Sequence, residues 1–415
     1  MTRNINNTKS NKDEYKNMNN KQNNAKLSAK YNKNNKFIKK FNIFAKKIGR
    51  LHANEYKSRP LFYNIVFASM TIVFLFSLIF IITDQTIGII QTTPSNDANW
   101  PQTTFAPFAD MTSWVDTNNS YSVNGTPNLV KVNQETGIQY FNLGFINPDQ
   151  SNPLDSDGNI RWCWGGYPTI SENGADSYQY AGIIYSIENI RKNGGDFAIS
   201  FGGQYGNAPW VVTQDIEKLK NMYTDVIRKY DLKRIDLDIE ESNQGENENK
   251  ANAQAVSQAQ TETGVAVSLT IPIMPYGWEE KQIKLIKAYL DAGVDICLIN
   301  SMTMCYGAGL FSGEDYGDAS VRAIENSIAQ MQLIFSNYGI NLTESQAYSK
   351  TGATVCLGYE SSAYPTFTTT MAKKVANHAK EHNYGMLSYW SINRDALMEY
   401  NRAISTLYSY YDVMK

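Results

Sequence analysis

The sequence predicts an α/β protein, namely a (β/α)8 barrel preceded by one transmembrane helix and a disordered basic N-terminal tail. Three observations support this prediction. Residues 1–60 hold 16 Lys and Arg against 3 acidic residues, and the rest of the 415-residue chain holds 22 basic against 37 acidic residues. An uncharged apolar run follows the basic region. Beyond that run, short apolar segments alternate with amphipathic ones up to the C-terminus, which is typical of β/α units.

The basic region, residues 1–58, is rich in Asn and Lys and has almost no apolar periodicity. Such a segment cannot bury enough apolar surface to offset the entropy lost on ordering. We therefore expect a disordered, solvated cytoplasmic tail. Binding of nucleic acid or of anionic lipid is the alternative, but in residues 1–26 Tyr15 is the one aromatic residue among the charges. The acidic body gives no sign of nucleic-acid binding either.

The apolar run is "PLFYNIVFASMTIVFLFSLIFIIT", 24 residues without a charge. As a helix it spans about 36 Å, which is enough to cross the hydrocarbon layer of a bilayer. A buried core helix usually has a shorter apolar run and a polar stripe. Because Lys and Arg precede the run and no small-residue cleavage pattern follows it, residues 61–83 are predicted to be an uncleaved anchor in the cell membrane, with the N-terminus cytoplasmic and the body extracellular. Residues 84–103 are predicted to be a linker.

The body, residues 104–415, contains eight candidate strands, and good helical patterns lie between the later ones. Eight strands mostly followed by helices in about 310 residues are typical of a (β/α)8 barrel. The candidate strands are "FAPFADM" (105–111), "QYFNLGFI" (139–146), "DFAISFGG" (196–203), "RIDLDIE" (234–240), "VAVSLTIP" (265–272), "DICLINSMTM" (295–304), "ATVCLGY" (353–359) and "GMLSYW" (385–390). Two of the helical patterns end in Asn-Tyr-Gly, which predicts a C-cap there.

The fourth strand places three acids, Asp236, Asp238 and Glu240, at every second position. In an antiparallel sheet these acids would form an ordinary solvated face. In a closed parallel barrel they point into the lumen, where buried carboxylates are costly unless they are paired, protonated or coordinated. Successive side chains on one face are roughly 6 to 7 Å apart, so the acids can share protons and repel one another. Glu240 comes last, at the C-terminal mouth where barrel enzymes keep their chemistry.

These residues resemble the glycoside hydrolase family 18 chitinases, whose catalytic strand carries the motif Asp-Gly-x-Asp-x-Asp-x-Glu. Three further segments are similar to the family's third, sixth and eighth barrel strands, in that order. They are "SFGG" (200–203), "MTMCYG" (302–307) and "YWSINRD" (389–395). "FAPFADM" is similar to the first strand of bacterial members. The resemblance covers residues 105–395 and leaves out the tail and the anchor.

The resemblance implies substrate-assisted retaining hydrolysis, in which the acetamido group of the substrate is the nucleophile. Glu240 would be the general acid/base, Asp238 would hold the acetamido group, and Asp236 would share a proton with Asp238. Tyr306 would donate a hydrogen bond to the same acetamido group. The remaining substrate-binding candidates are Trp390 as the floor under the sugar, Gly202 and Gly203 as a close backbone approach, and Met302 and Met304 of the sixth-strand motif. For the glycines the alternative is a tight strand end, and for Trp390 it is a core aromatic.

Two departures from the family pattern bear on activity. Lys233-Arg234 stands where the motif opens with Asp-Gly, and an inward Lys233 would hold Asp236 ionised. Cys305 stands where the sixth strand should carry Asp. A disulfide is permitted among Cys163, Cys297, Cys305 and Cys356, but the sequence does not give a pairing.

No cofactor and no metal are expected. His378 and His382 have zinc-ligand spacing without a placed third ligand, so we expect an exposed amphipathic helix instead. The predicted function is a membrane-anchored, extracellular, chitinase-like glycosidase cutting β-1,4 bonds at N-acetylglucosamine in a polysaccharide or glycan. The alternatives are an endo-β-N-acetylglucosaminidase or peptidoglycan hydrolase of the same fold, and a catalytically weak lectin-like protein. The sequence does not predict the oligomeric state.

Overall fold

A computed structural model describes residues 100–240, 245–307 and 309–415. The predicted tail 1–58, the predicted anchor 61–83 and most of the predicted linker lie outside the described residues, so these three assignments stay predictions. Within the described ranges, no helix is both long and apolar enough to span a membrane.

The described residues form a mixed α/β fold with a curled parallel sheet, in agreement with the predicted class. All eight candidate strands are present, with ends shifted by a few residues. The strands are β1 (Thr104–Phe105), β2 (Phe108–Asp110), β3 (Ser122–Val123), β4 (Thr126–Pro127), β5 (Tyr140–Pro148), β6 (Trp162–Trp164), β7 (Asp196–Gly202), β8 (Arg234–Asp238), β9 (Ala266–Pro272), β10 (Ile296–Met302), β11 (Thr351–Cys356) and β12 (Met386–Trp390).

The main sheet runs in the order β1-β12-β11-β10-β9-β8-β7-β5-β2, and every neighbouring pair along it is parallel. The short strand β6 pairs with β5 antiparallel, and β3 with β4 form a separate antiparallel pair. The first predicted strand is divided at Ala106-Pro107. Its first part, β1, pairs with the last strand β12, and its second part, β2, pairs with β5. One continuous segment of chain therefore supplies both ends of the strand order.

Helices follow most strands, as β/α connections require. They are α1 (Leu129–Thr136), α2 (Ser177–Lys192), α3 (Pro209–Val212), α4 (Ile216–Tyr230), α5 (Glu246–Thr263), α6 (Glu280–Asp291), α7 (Tyr316–Ser336), α8 (Glu344–Ser349), α9 (Thr369–His382), α10 (Ile392–Asp395) and α11 (Tyr411–Met414). The predicted Asn-Tyr-Gly caps are realised differently at the two helices. After α7 the left-handed residue is Gly339, whereas α9 ends at Asn383, which itself adopts φ 55°. Asn tolerates this conformation better than most residues with a Cβ, so α9 ends two residues before the glycine.

The core lies between the sheet and the helices around it. Ile235, Leu237 and Ile239 alternate with the acids of the β8 segment, and each is fully buried in the main hydrophobic cluster. The period of two along a strand therefore sends the apolar side chains towards the helices and leaves the acids on the opposite face.

The N-terminal end of the sheet is covered by Trp100, which lies inside the predicted linker 84–103. Its side chain is buried, and its ring lies 5.0 Å from that of Tyr140. Trp100 Nε1 donates to Asp196 Oδ2 at 3.3 Å, and the Arg234 guanidinium lies 4.4 Å from the centre of the indole. The packed part of the chain therefore begins at least four residues before the predicted boundary at Thr104.

Candidate active site

The three acids of the β8 segment lie together on one face of the sheet, as their spacing predicted. Asp236 and Asp238 are 1% and 5% exposed, and Glu240 follows the end of the strand and is partly exposed. The pairing of β8 with β7 and β9 holds the row in place from both sides. The depth of burial thus falls along the row towards the C-terminal edge.

Asp236 is held by three hydroxyl groups from the neighbouring strands. Ser200 of β7 donates to Oδ2 at 2.7 Å, and Ser268 and Thr270 of β9 donate to Oδ1 at 2.6 and 2.8 Å. Complete burial raises the pKa of Asp236, and the three hydrogen bonds act in the opposite direction because they favour the carboxylate. Burial has the larger effect, so Asp236 holds its proton more tightly than an ordinary Asp.

Asp238 is the least satisfied member of the row. Its Oδ1 is buried and has no hydrogen-bond partner within the residues that the structure describes. Burial raises the pKa of Asp238 well above its usual range, and the negative charges of Glu240 and Asp236 raise it further. Buried polar atoms are nearly always hydrogen-bonded, so an orphaned carboxylate oxygen facing the same side as Glu240 indicates a position where a ligand donor would fit.

Glu240 lies beyond the end of β8, where Ile239 still donates its N–H to the carbonyl oxygen of Thr270 at 2.9 Å. This hydrogen bond continues the β8–β9 pairing by one residue and fixes the direction in which Glu240 leaves the sheet. Residues 241–244, which follow it, lie outside the described ranges. Its charge is close enough to act on both Asp238 and Cys305.

Gly202 ends β7 and Gly203 follows it, and both lie against the end of β8. Both have positive φ, at 100° and 85°, and Gly203 donates its N–H to the carbonyl oxygen of Asp238 at 3.0 Å. A Cβ on Gly202 would lie 2.2 Å from that same oxygen. The structure thus gives these glycines the role of a tight strand end, which was the alternative weighed from the sequence. It leaves the predicted sugar contact untested.

Asn147 of β5 completes this strand end, and sequence reasoning missed it. Its Nδ2 donates to the carbonyl oxygen of Gly202 at 2.7 Å, and its Oδ1 accepts from the N–H of Gly202 at 3.1 Å. The amide side chain thereby supplies the hydrogen bonds that a backbone partner would make, beyond the register shift in the β5–β7 pair. Nothing in the strand pattern singles out one Asn among several.

Lys233 does not point inwards. Its ammonium group is exposed and bonds Asp231 at 2.8 Å, while the next residue, Arg234, is buried on the same face as the acids. The positive charge of Arg234 lowers the pKa of Asp236, although this effect is smaller than those of burial and the hydroxyl groups. The cation near the deep end of the row is therefore Arg234 and not Lys233.

Trp390 ends β12 and is partly exposed. Its ring stacks on Phe145 with the ring centres 5.8 Å apart and an interplanar angle of 22°, and it lies 6.2 Å from Phe108. The indole is thus held by two aromatic neighbours and keeps part of its surface accessible. This placement suits a sugar-binding aromatic, since an apolar sugar face packs well on an aromatic plane.

The predicted sixth-strand motif, residues 302–307, has some side chains in the core and others at a cavity. Met302 is buried at the end of β10, whereas Met304 and Cys305 are partly exposed and line a cavity next to Cys356. Tyr306 is buried, and its hydroxyl donates to Ser320 of α7 at 3.2 Å. Tyr306 therefore faces the helix, and this arrangement gives no support to its predicted role as a donor to substrate. Side chains no longer alternate between the two faces of the sheet here, because Cys305 has φ 54° and the chain leaves the extended conformation.

Cys305 lies close enough to Glu240 for the charge of Glu240 to raise its pKa, although this is the smallest of the effects on that thiol. Three residues next to it were not singled out from the sequence, namely Cys356, Glu360 and Arg394. Arg394 is 2% exposed, donates to Cys356 Sγ at 3.0 Å and bonds Glu360 at 2.6 Å. All three lie more than 50 residues from Cys305 in the chain, so no local pattern could have connected them to it.

The two histidines are partly exposed on α9, a helix with one buried and one exposed face as expected. Their rings lie 4.2 Å apart, and His378 Nδ1 lies 2.6 Å from the hydroxyl of Tyr384. Burial, followed by the proximity of His382, lowers the pKa of His378. Within the described residues, no group of three or more His, Cys, Asp or Glu side chains could hold a metal ion.

Comparison with known proteins agrees with this geometry. No family model matches the chain. The chain is 25% identical over 311 residues to a probable bifunctional chitinase/lysozyme of Escherichia coli (strain K12), a match that covers 71% of this chain and 31% of that protein. It is also 25% identical over 306 residues to endochitinase 11 of Metarhizium anisopliae, which covers 71% of this chain and 53% of that protein. The chain thus spans about a third to a half of the length of the curated relatives that it matches.

A solved structure, the catalytic domain of a hyperthermophilic chitinase from Pyrococcus furiosus, has the same fold. It superposes with a TM-score of 0.60 at 22% identity and covers 76% of this chain and 94% of that chain. The fold of the described residues is therefore that of a chitinase catalytic domain. The predicted resemblance is confirmed: the chain is similar in sequence to a probable chitinase/lysozyme and to an endochitinase, and in fold to a chitinase catalytic domain.

Proposed function

We propose that this chain is a chitinase-like glycoside hydrolase that cuts β-1,4 bonds at N-acetylglucosamine in a complete (β/α)8 barrel. The observation that carries the proposal is the row of acids on β8. The buried Oδ1 of Asp238, which has no hydrogen-bond partner among the described residues, lies beside the partly exposed Glu240. Closure of the barrel is supported by residues 104–110, which pair with β12 through one part and with β5 through the other.

Glu240 is the proton donor in this proposal. It follows the C-terminal end of β8, where barrel enzymes place their reacting groups, and it is the member of the row that solvent and substrate can reach. It protonates the glycosidic oxygen as the bond to the leaving sugar breaks. In the second half of the reaction, the resulting carboxylate removes a proton from the attacking water.

Asp238 and Asp236 stabilise the positive charge that develops on the substrate acetamido group. Burial and two negative neighbours favour the protonated form of Asp238, so its proton can move to Asp236 when the positive charge of an oxazolinium ion develops beside it. Asp236 can take up that proton because burial raises its pKa, and Asp238 is left as the carboxylate beside the positive charge. The acetamido oxygen attacks the anomeric carbon from within the same sugar, and the product therefore retains its configuration.

Trp390 forms the floor under the reacting sugar. Its stacking on Phe145 fixes the plane of the indole before substrate arrives, which reduces the entropy lost on binding. Met302 and Met304 remain candidates for substrate contact, with Met304 the more accessible of the two.

Peptidoglycan is a second candidate substrate. The E. coli relative is described as a probable bifunctional chitinase/lysozyme, and peptidoglycan also carries 2-acetamido sugars in β-1,4 linkage. A catalytic domain outside the cell would meet either polymer. The uncharged run at residues 61–83 supports such a location, with the basic tail in the cytoplasm and the acidic body exposed at the cell surface.

A turnover assay on the full chain in detergent tests the proposal with three substrates. These are chromogenic chito-oligosaccharides, peptidoglycan and an N-glycosylated protein. We expect release of the chromogen from the chito-oligosaccharides, with the β-anomer as the first product in an NMR time course. Cleavage of only the N-glycoprotein would identify an endo-β-N-acetylglucosaminidase instead. Binding of chito-oligosaccharides without cleavage of any substrate would identify a lectin-like protein.

A further inference from the structure

Two cysteines meet at the C-terminal ends of neighbouring strands. Cys356 is the last residue of β11, and Cys305 follows the end of β10 by three residues. The two strands are parallel with Met302 opposite Thr354, and the N–H of Thr303 donates to the carbonyl oxygen of Thr354 at 2.8 Å. This pairing places both thiols at the wall of one cavity, where each acts on the pKa of the other, and both cysteines are free.

Charged groups surround this pair. Arg394 Nη1 donates to Cys356 Sγ at 3.0 Å, and Cys356 Sγ donates to Glu360 Oε2 at 3.3 Å. Arg394 is almost completely buried, so its charge is poorly screened by water. A cation beside a sulfur favours the thiolate, which is the nucleophilic form of cysteine.

The two thiols differ in reactivity and access. The contact with Cys356 is the main cause that lowers the pKa of Cys305, and the same contact together with burial raises the pKa of Cys356. Cys305 is partly exposed and lines a cavity with Met304, Glu360 and Tyr364, whereas Cys356 is buried at its inner side. A reagent therefore meets Cys305 first and leaves Cys356 in position to react second.

We propose that Cys305 and Cys356 are a redox-active dithiol, a modification site that reacts with low-molecular-weight disulfides. The Cys305 thiolate attacks one sulfur of the disulfide RSSR, forms a mixed disulfide and releases RS⁻, which takes up the proton lost by Cys305. Cys356 then loses its proton, attacks the Cys305 sulfur and releases the second RSH. The two protein thiols are oxidised to one intramolecular disulfide, and RSSR is reduced to two RSH. The proposal does not rest on the proposed glycosidase activity, although the charge of Glu240 acts on Cys305.

The test is peptide mass mapping of the full chain after exposure to oxidised glutathione. The reduced protein is incubated with the reagent, quenched with acid, denatured and alkylated with iodoacetamide. We expect a peptide pair joined through Cys305 and Cys356 that lacks two hydrogen atoms, and alkylated Cys163 and Cys297. Alkylation of both Cys305 and Cys356, or a link between another pair, would overturn the proposal.

Single variants separate the two steps. In Cys356→Ser the glutathione adduct on Cys305 should accumulate, because the resolving thiol is absent. In Cys305→Ser both the adduct and the link should disappear, and the control Cys297→Ser should form the link as wild type does. An adduct on Cys356 in place of Cys305 would contradict the assigned order. The wild-type map alone decides the proposal if a variant fails to fold.

Discussion

Ser268 donates a hydrogen bond to the buried carboxylate of Asp236 at 2.6 Å, across the β8–β9 pair. The same oxygen accepts from Thr270 at 2.8 Å, so β9 supplies two of the three hydroxyl groups that stabilise the carboxylate. Hydroxyl residues thus connect the acid row to the strands that frame it.

The variant Ser268→Ala tests this connection. Removing the hydroxyl leaves a buried carboxylate with one donor fewer, and we expect the free energy of unfolding in urea to fall by about 1–3 kcal/mol at neutral pH. Ser336→Ala on the exposed face of α7 is the matched control, with an expected change within about 0.5 kcal/mol. Equal effects for the two variants would contradict the role assigned to Ser268.

Asp238→Asn should be stabilising at alkaline pH. The pKa of Asp238 is raised in the folded protein, so the stability linked to its bound proton is present at low pH and is lost as pH rises through the folded pKa. Asn does not titrate, so the free energy of unfolding of the variant should increase relative to that of wild type as pH rises above the ordinary carboxyl range. Urea unfolding between pH 4 and about pH 9 measures the difference. A difference in unfolding free energy between the two proteins that does not change with pH would contradict the cost assigned to burying the ionised Asp238 side chain.

Asp231→Asn is the opposing control for that experiment. Its hydrogen bond with Lys233 lowers the pKa of Asp231, so any stability it contributes is lost as pH falls and not as it rises. The side chain is largely exposed, and the effect should be small. Asn also tolerates the positive φ of 47° at this position.

Gly202→Ala should disrupt the edge of the site. The new Cβ would lie 2.2 Å from the carbonyl oxygen of Asp238, so β7 and β8 must separate. Gly264→Ala has a similar left-handed conformation but no atom within 4 Å of the added Cβ. We expect about 1 kcal/mol of destabilisation for the Gly264 variant and several-fold more for the Gly202 variant. Similar melting temperatures for the two would show that the close approach is not rigid.

Cys305→Asp should move the basic limb of the pH–rate profile to higher pH. A second carboxylate beside Glu240 disfavours ionisation of the proton donor, because like charges repel at short distance. Asp is also compatible with φ 54° at this position. The uncharged variant Cys305→Asn should leave the limb in place. A limb that stays or moves to lower pH in Cys305→Asp would contradict the position assigned to residue 305.

The sequence predicted the strands well because barrel strands are continuous apolar runs bounded by helices. The acid row was visible because acids replace every second residue of one such run. The split of the first strand was not predictable, since it depends on pairing with β12, where the paired residues are 282 positions apart in the chain. The contact of Tyr306 with α7 was not predictable, since it follows a backbone turn at Cys305, and a left-handed Cys is not expected from its residue type. Asn147, Cys356 and Arg394 reach the site only through the tertiary fold.

The most direct test of the account is the turnover of Glu240→Gln on a chito-oligosaccharide, measured together with binding of the same sugar. Gln keeps the size of the side chain but cannot transfer a proton, so turnover should fall by about 10² or more while the dissociation constant changes little. Glu280→Gln, on the exposed first turn of α6, controls for the loss of a charge and should retain wild-type turnover. A Glu240→Gln protein that hydrolyses the sugar at the wild-type rate would contradict the assignment of Glu240 as the proton donor.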